Sequence, residues 1–159
     1  MTASIMSPEV AETIALDVIT AWQSLDKRKM ARLLAEDFTA TGILAEAFDK
    51  EMFLLYQCVL SEAFPDWKFN VVSVVVHDQT VHVLTQPTAT HLGGLDVQLF
   101  GLPLPVIPAT AKRIQGDYMV LTITVEDNHV TACNVQGGLM ALLEQIGVFG
   151  WRIAQPAMN

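Results

Sequence analysis

Charge is scarce in this chain. Only 16% of its 159 residues are Asp, Glu, Lys or Arg, and the formal balance is acidic, at −8. No run of Lys or Arg interrupts that pattern, so the electrostatic footprint of a nucleic-acid binder is missing. Cysteine is almost absent as well. Cys58 and Cys133 stand far apart in apolar contexts, QCVL and TACNV, and read as buried free thiols rather than as a disulfide or redox pair. Long hydrophobic runs are lacking: VVSVVV and GLPLPVIPATA are too short to span a bilayer, and proline breaks the second. The first basic residue is Lys27, so the charged start of a secretion signal is not seen and a cytoplasmic location is expected. The four histidines form no HxH or HxxxH pair, and no phosphate loop follows Gly93 and Gly94. Neither a metal nor another cofactor is expected.

Apolar residues, by contrast, make up 52% of the chain, enough for one domain over residues 1–159 with a substantial core. Such low charge calls for a large subunit interface or an apolar cavity. The first helix is expected to start at SPEV, with Ser7 as cap and Pro8 in the first turn, and to bury Val10, Ile14, Val18, Ala21, Trp22 and Leu25. Asp26 caps a second helix, KRKMARLLAE, and FTATG follows as a short strand. Asp49 caps a third helix, KEMFLLYQCVLSEAF, with a stripe of Met52, Tyr56, Val59 and Ala63 that Pro65 ends. Two hairpins are then predicted, KFNVVSVVV with TVHVLTQPTATH and DYMVLTITVED with HVTACNVQ, before a short closing helix, GLMALLEQIG, capped by Gly147. Helices followed by antiparallel strands make an α+β domain in which one sheet face covers the helical stripes.

These pieces resemble a known family. AW near the start, LLAEDF, AFPDWKFNV, THLG, PATAKR and LLEQIG occur in the order found in the SnoaL-like, polyketide cyclase-related branch of the nuclear transport factor 2-like (cystatin-like) superfamily. The resemblance covers most of the chain. It implies a cone-shaped, curved antiparallel sheet packed on three N-terminal helices, with a pocket between them and dimerisation through the outer sheet face. It also implies a catalytic aspartate in a WxxxD-like segment before the last helix. Here those two positions are Asn134 and Gly138, and the strand that bears the base of steroid isomerases, FTATG, has no acid.

The remaining polar candidates are His91, Asn134 and Gln136. Strand parity puts Asn134 and Gln136 on one face and gives His91 the parity of Val81, Val83 and Thr85, an inward one. His91 is either a base or orienting donor near neutral pH, or a core histidine satisfied by backbone. Asn134 and Gln136 either join it in a pocket or bond at the sheet end. Trp22, Tyr56 and Trp67 are either the aromatic wall of the pocket or plain core. Residues 93–111 form a Gly- and Pro-rich loop, a rigid packed connection or a lid hinged at Gly101. The expected partners are a small, neutral, apolar or weakly polar organic molecule and a second copy of the chain. The reading leaves two functions open: a ligand-binding protein without the usual aspartate, or a cyclase- or isomerase-type enzyme that uses His91 with Asn134 or Gln136.

Overall fold

The computed structural model describes residues 7–115, 118–137 and 143–147. Helix α1, Pro8–Ser24, starts where Ser7 Oγ accepts from the Val10 N–H, and ends on Leu25 in the left-handed conformation. Its buried face is Ala11, Ile14, Ala15, Val18, Ile19, Ala21 and Trp22. Val10 and Leu25, expected on that face, are each 41% exposed. Val10 stands in the first turn and Leu25 is the C-cap, so neither is held over the sheet. Asp26 caps α2, Lys27–Leu33, which stops earlier than its sequence predicts. Leu34 leaves helical geometry and begins strand β1, Leu34–Thr41, so the expected short strand is eight residues long.

Strand β2, Phe48–Asp49, pairs with β1 and leads into α3, Lys50–Ala63. Asp49 Oδ1 caps α3 by accepting from the Met52 N–H at 2.8 Å. The stripe on α3 is Phe53, Tyr56, Gln57, Val59, Leu60 and Ala63, with Met52 at its half-exposed edge. Strands β3, Val71–His77, and β4, Thr80–Thr85, form the first hairpin. A small ladder of β5, Ala89–Thr90, and β6, Arg113–Ile114, brackets the Gly- and Pro-rich loop. Strands β7, Met119–Glu126, and β8, His129–Gln136, make the second hairpin. Its turn residues Asp127 and Asn128 both have positive φ, the geometry that suits the twist of a two-residue hairpin. Of the closing helix, residues 138–142 lie outside the described part; residues 143–145 are helical, and Gly147 follows at φ +92°.

The six-stranded sheet has the order β2-β1-β8-β7-β4-β3 and does not close on itself. Its pairings are antiparallel except that β1 runs parallel to β8. One face, carrying Val81, Val83, Leu121, Ile123, Cys133 and Val135, is buried with the helical stripes. The opposite face is mixed rather than aliphatic. Val75, His82, Thr122, Asn134 and Thr41 form one row across five strands. The outer face, through which the family resemblance implies dimerisation, therefore alternates apolar and polar positions.

Trp22 is the residue on which α1, α3 and the segment before β3 converge. Its ring centroid lies 5.2 Å from Phe53, 6.4 Å from Tyr56 and 5.0 Å from Phe69, each with its rings edge to face. Truncating a large buried aromatic costs about 3–5 kcal/mol. Urea denaturation of Trp22→Ala is expected to show a loss of that size, while Val10→Ala stays within about 0.5 kcal/mol of the parent. Comparable losses in the two variants would contradict this packing.

Candidate functional site

A mainly apolar cleft of about 700 Å³ lies between residues 44–49 and 100–102. Phe48 enters it from β2, Met52 from the first turn of α3, and Phe100 from the Gly- and Pro-rich loop. Leu44 and Leu102 extend the apolar wall, and Glu46 and Asp49 lie at its rim. Phe48 and Phe100 stack with centroids 5.7 Å apart, and Tyr56 meets both rings at 5.9 and 5.6 Å. Tyr56 is buried immediately behind this wall, one helical turn after Met52. A second recess, of about 800 Å³, lies between β1 and the β7–β8 turn and is mixed in charge, with Arg32, Lys50, Glu36, Glu126 and His129 at its edge. Water competes for such groups, so that recess offers less to an organic ligand.

The loop at 93–111 is anchored at both ends. Leu95 and Ile107 exchange two backbone hydrogen bonds of 2.9 Å, and Leu95 and Val97 are fully buried. Gly93 passes so close to the end of α3 that a side chain there would run into the Glu62 carbonyl oxygen. Packing therefore fixes the stem. The tip is a single 3-10 turn, Gln98–Phe100, closed by Gly101 at φ +86°.

His91 is completely buried, as its strand parity indicates. Its Nδ1 accepts from the Thr110 N–H at 3.2 Å, and the Thr110 hydroxyl lies 3.0 Å away. An accepting Nδ1 puts the ring proton on Nε2, which is buried without a partner at hydrogen-bonding geometry. Burial holds the His91 pKa below the ordinary histidine value, while backbone bonding toward Gly93 acts in the opposite sense. The ring also lies 5.2 Å from Phe64. His91 thus ties β5 to residues 110–112 and to the end of α3.

The structure does not bring the other polar candidates to it. Asn134 and Gln136 do share a face, but it is the outer one, opposite Cys133 and Val135. Parity along a strand fixes which residues go together, and burial of the alternate set decides the side. Asn134 Nδ2 donates to Thr41 Oγ1 at 2.8 Å across β1 and β8, a sheet-end bond. Trp22 and Tyr56 are in contact with each other inside the core. Trp67 borders a void of only about 20 Å³ with Trp22 and Gln57, too small for an organic ligand. Gly138 lies outside the described residues. Phe48, Phe100 and Leu44 were not singled out by sequence; the one signal for Phe100 is its place beside Gly101 in an apolar loop.

Among the described residues, the buried polar side chains are Gln57, Thr85 and His91, with no carboxylate. Burial also raises the Tyr56 phenol and pushes the Cys133 thiol up to about 12. Among the described residues the interior thus carries no charge at neutral pH. No group of three or more His, Cys, Asp or Glu among the described residues is placed to hold a metal ion, and no helix among them is long and apolar enough to cross a membrane.

No family model and no curated protein match the sequence. Solved structures do match its fold. A protein from Jannaschia named as SnoaL-like polyketide cyclase superposes with TM-score 0.73 at 19% identity, over 90% of this chain and 96% of that one. The fold is the SnoaL-like, nuclear transport factor 2-like cone. An NTF2-like protein from Burkholderia xenovorans gives TM-score 0.61 at 19% identity, covering 82% of this chain and 90% of the other. A protein with a ketosteroid isomerase-like fold from Catenulispora acidiphila, solved with trimethylamine, gives 0.63 at 12% identity, covering 85% and 92%.

The buried histidine makes stability depend on pH. Because the folded pKa of His91 is depressed, the unfolded chain binds its proton more readily. The contribution is complete above the ordinary histidine pKa of about 6.5 and is lost as pH falls through the folded value. Urea midpoints of the parent are expected to fall from pH 7.5 to pH 5 more steeply than those of His91→Gln, by at most about 1.4 kcal/mol per pH unit. Parallel profiles would show that His91 does not carry the difference.

Proposed function

We propose that this SnoaL-like protein binds a small neutral organic molecule in the cleft walled by Phe48, Met52 and Phe100, and that it lacks the cyclase and isomerase activities for which its structural neighbours are named. The observation that carries this reading is the uncharged, carboxylate-free set of buried side chains. Removing a proton next to a carbonyl needs a base within reach, and a base adds about 10²- to 10⁴-fold in rate. Of the two carboxylates at the cleft rim, Asp49 is engaged as the cap of α3 and Glu46 is exposed to solvent. The position that corresponds to the cyclase aspartate is Gly138, which has no side chain to supply one. An apolar wall gains affinity by burying apolar ligand surface, whereas an anionic ligand would lose hydration without compensation beside Glu46 and Asp49.

The enzymatic alternative, His91 working with Asn134 or Gln136, has one observation in its favour, a buried Nε2 that no acceptor meets at full hydrogen-bonding geometry. Against it, Nδ1 is engaged by Thr110, and both amides sit across the sheet from the imidazole. We also read the chain as a cytoplasmic homodimer. Free Cys58 and Cys133 support a reducing compartment. Exposed Val71, Val72 and Val75 on and beside the outer sheet face support self-association. Light scattering at micromolar concentration is expected to give twice the monomer mass.

The binding reading is tested with N-phenyl-1-naphthylamine, a neutral fluorescent probe, against its anionic relative 1-anilinonaphthalene-8-sulfonate. The neutral probe is expected to bind more tightly, and Phe48→Ala to weaken it about tenfold, or 1.4 kcal/mol. A Δ5-ketosteroid is expected to show no turnover above the uncatalysed rate. Preference for the anionic probe, or isomerase turnover, would overturn the reading.

A further inference from the structure

The wall between the cleft and Tyr56 has three members of unequal stiffness. Phe48 is held by β2, whose pairing to β1 fixes the backbone at Ala40 and Phe48. Met52 is fixed by the capped first turn of α3. Phe100 alone rides on a loop. Its turn is closed by three local backbone hydrogen bonds, from Phe100 N–H to Val97 O at 3.1 Å, from Gly101 N–H to Gln98 O at 3.0 Å and from Leu102 N–H to Val97 O at 3.3 Å. One turn of 3-10 helix has little stability of its own. Gly101 has open space where a Cβ would stand, so nothing packs on the tip at that position. Leu99, beside it, is largely exposed. The stem cannot follow, because Leu95, Val97 and the Leu95–Ile107 bridge are locked into the core. Movement is therefore confined to the few residues that carry Phe100.

We infer that Phe100 is a gate and a specificity-determining residue: its ring covers Tyr56 and gives way to the apolar ring of the ligand, which takes its place against Phe48 and Tyr56. This rests on the reading of the cleft as the binding site and adds the class of molecule it takes, a neutral compound with at least one ring about the size of the phenyl group it displaces. The stacked contact to Phe48 and the edge contact to Tyr56 are supplied by protein in the closed state and are available to the ligand in the open one. A linear aliphatic chain of equal apolar area would recover neither ring contact.

Nitration by tetranitromethane, read by peptide mass spectrometry, tests the gate without reference to any ligand. The chain has two tyrosines, and Tyr118, 59% exposed, is the internal standard in every sample. In the parent protein, Tyr56 is expected to be protected relative to Tyr118. Phe100→Ala is expected to raise the Tyr56-to-Tyr118 nitration ratio at least tenfold. Gly101→Ala removes no contact and strains only the positive-φ position, so it is expected to raise the ratio several-fold. Phe38→Ala also deletes a core ring, one that packs on Phe53 away from the cleft, and is expected to leave the ratio unchanged. Tyr56 still protected in Phe100→Ala, or labelled equally in Phe38→Ala, would overturn the gate.

The neutral probe separates the gate from the function. N-phenyl-1-naphthylamine is expected to bind Phe100→Ala and restore protection of Tyr56. If the probe binds the parent and Phe100→Ala leaves Tyr56 covered, the gate fails and the binding function stands. If neither protein binds the probe while Tyr56 becomes labelled in Phe100→Ala, the binding function fails and Phe100 remains the cover.

Discussion

One connected set of aromatic rings holds the helices to the sheet. From the cleft it runs through Phe100, Phe48 and Tyr56 to Trp22, then through Phe69, Trp67 and Phe64 to His91, with Phe53 and Phe38 branching from Trp22. Most of the contacts are edge to face, the arrangement that aligns the positive edge of one ring with the negative face of the next. Only 8% of the chain is aromatic, yet among the described residues every aromatic side chain except Tyr118 belongs to this set. Aliphatic side chains fill the space around it, but the rings alone extend from the mouth of the cleft to the base of the loop.

Because the set ends at a cleft on one side and at a clamped histidine on the other, the same packing serves both. Phe64 carries His91, whose bond to Thr110 closes the base of the loop at 93–111. That loop returns at its tip to place Phe100 on Phe48 and Tyr56. The apolar environment explains the electrostatics too. Tyr56 and Cys133 are held protonated and His91 is held neutral by the same desolvation. The described interior of this cone is therefore apolar and uncharged at neutral pH.

Much of this architecture is legible in the sequence. Ser7, Asp26 and Asp49 announce their helices because a capping side chain acts on backbone two or three residues away. The hairpins follow from alternation and from turn residues. Strand β1 is harder to read, since LLAEDFTATG begins with helix-forming residues, and only pairing with β8 draws Leu34 into the sheet. The ladder there slips between Leu34 and Thr39, leaving Glu36 and Asp37 exposed within the irregular stretch. The site was less legible. His91 was located by parity, but the side taken by Asn134 and Gln136 depends on which face the helices cover. The cleft joins residues 44–49 to residues 100–102 through a loop whose path is set by Leu95 and Val97 in the core, a tertiary fact with no local periodicity behind it.

The parallel pairing of β1 with β8 links residues 34–41 to residues 129–136. On the ribosome, the helices and β1 emerge well before their central partner strand exists. Contacts so distant in sequence slow folding, because a long loop must close before they form. Until β8 arrives, the apolar faces of α1 and α3 have an incomplete sheet to cover them. The interval of synthesis between the first strand and the last is thus the period when this chain is most exposed to aggregation and most dependent on chaperones.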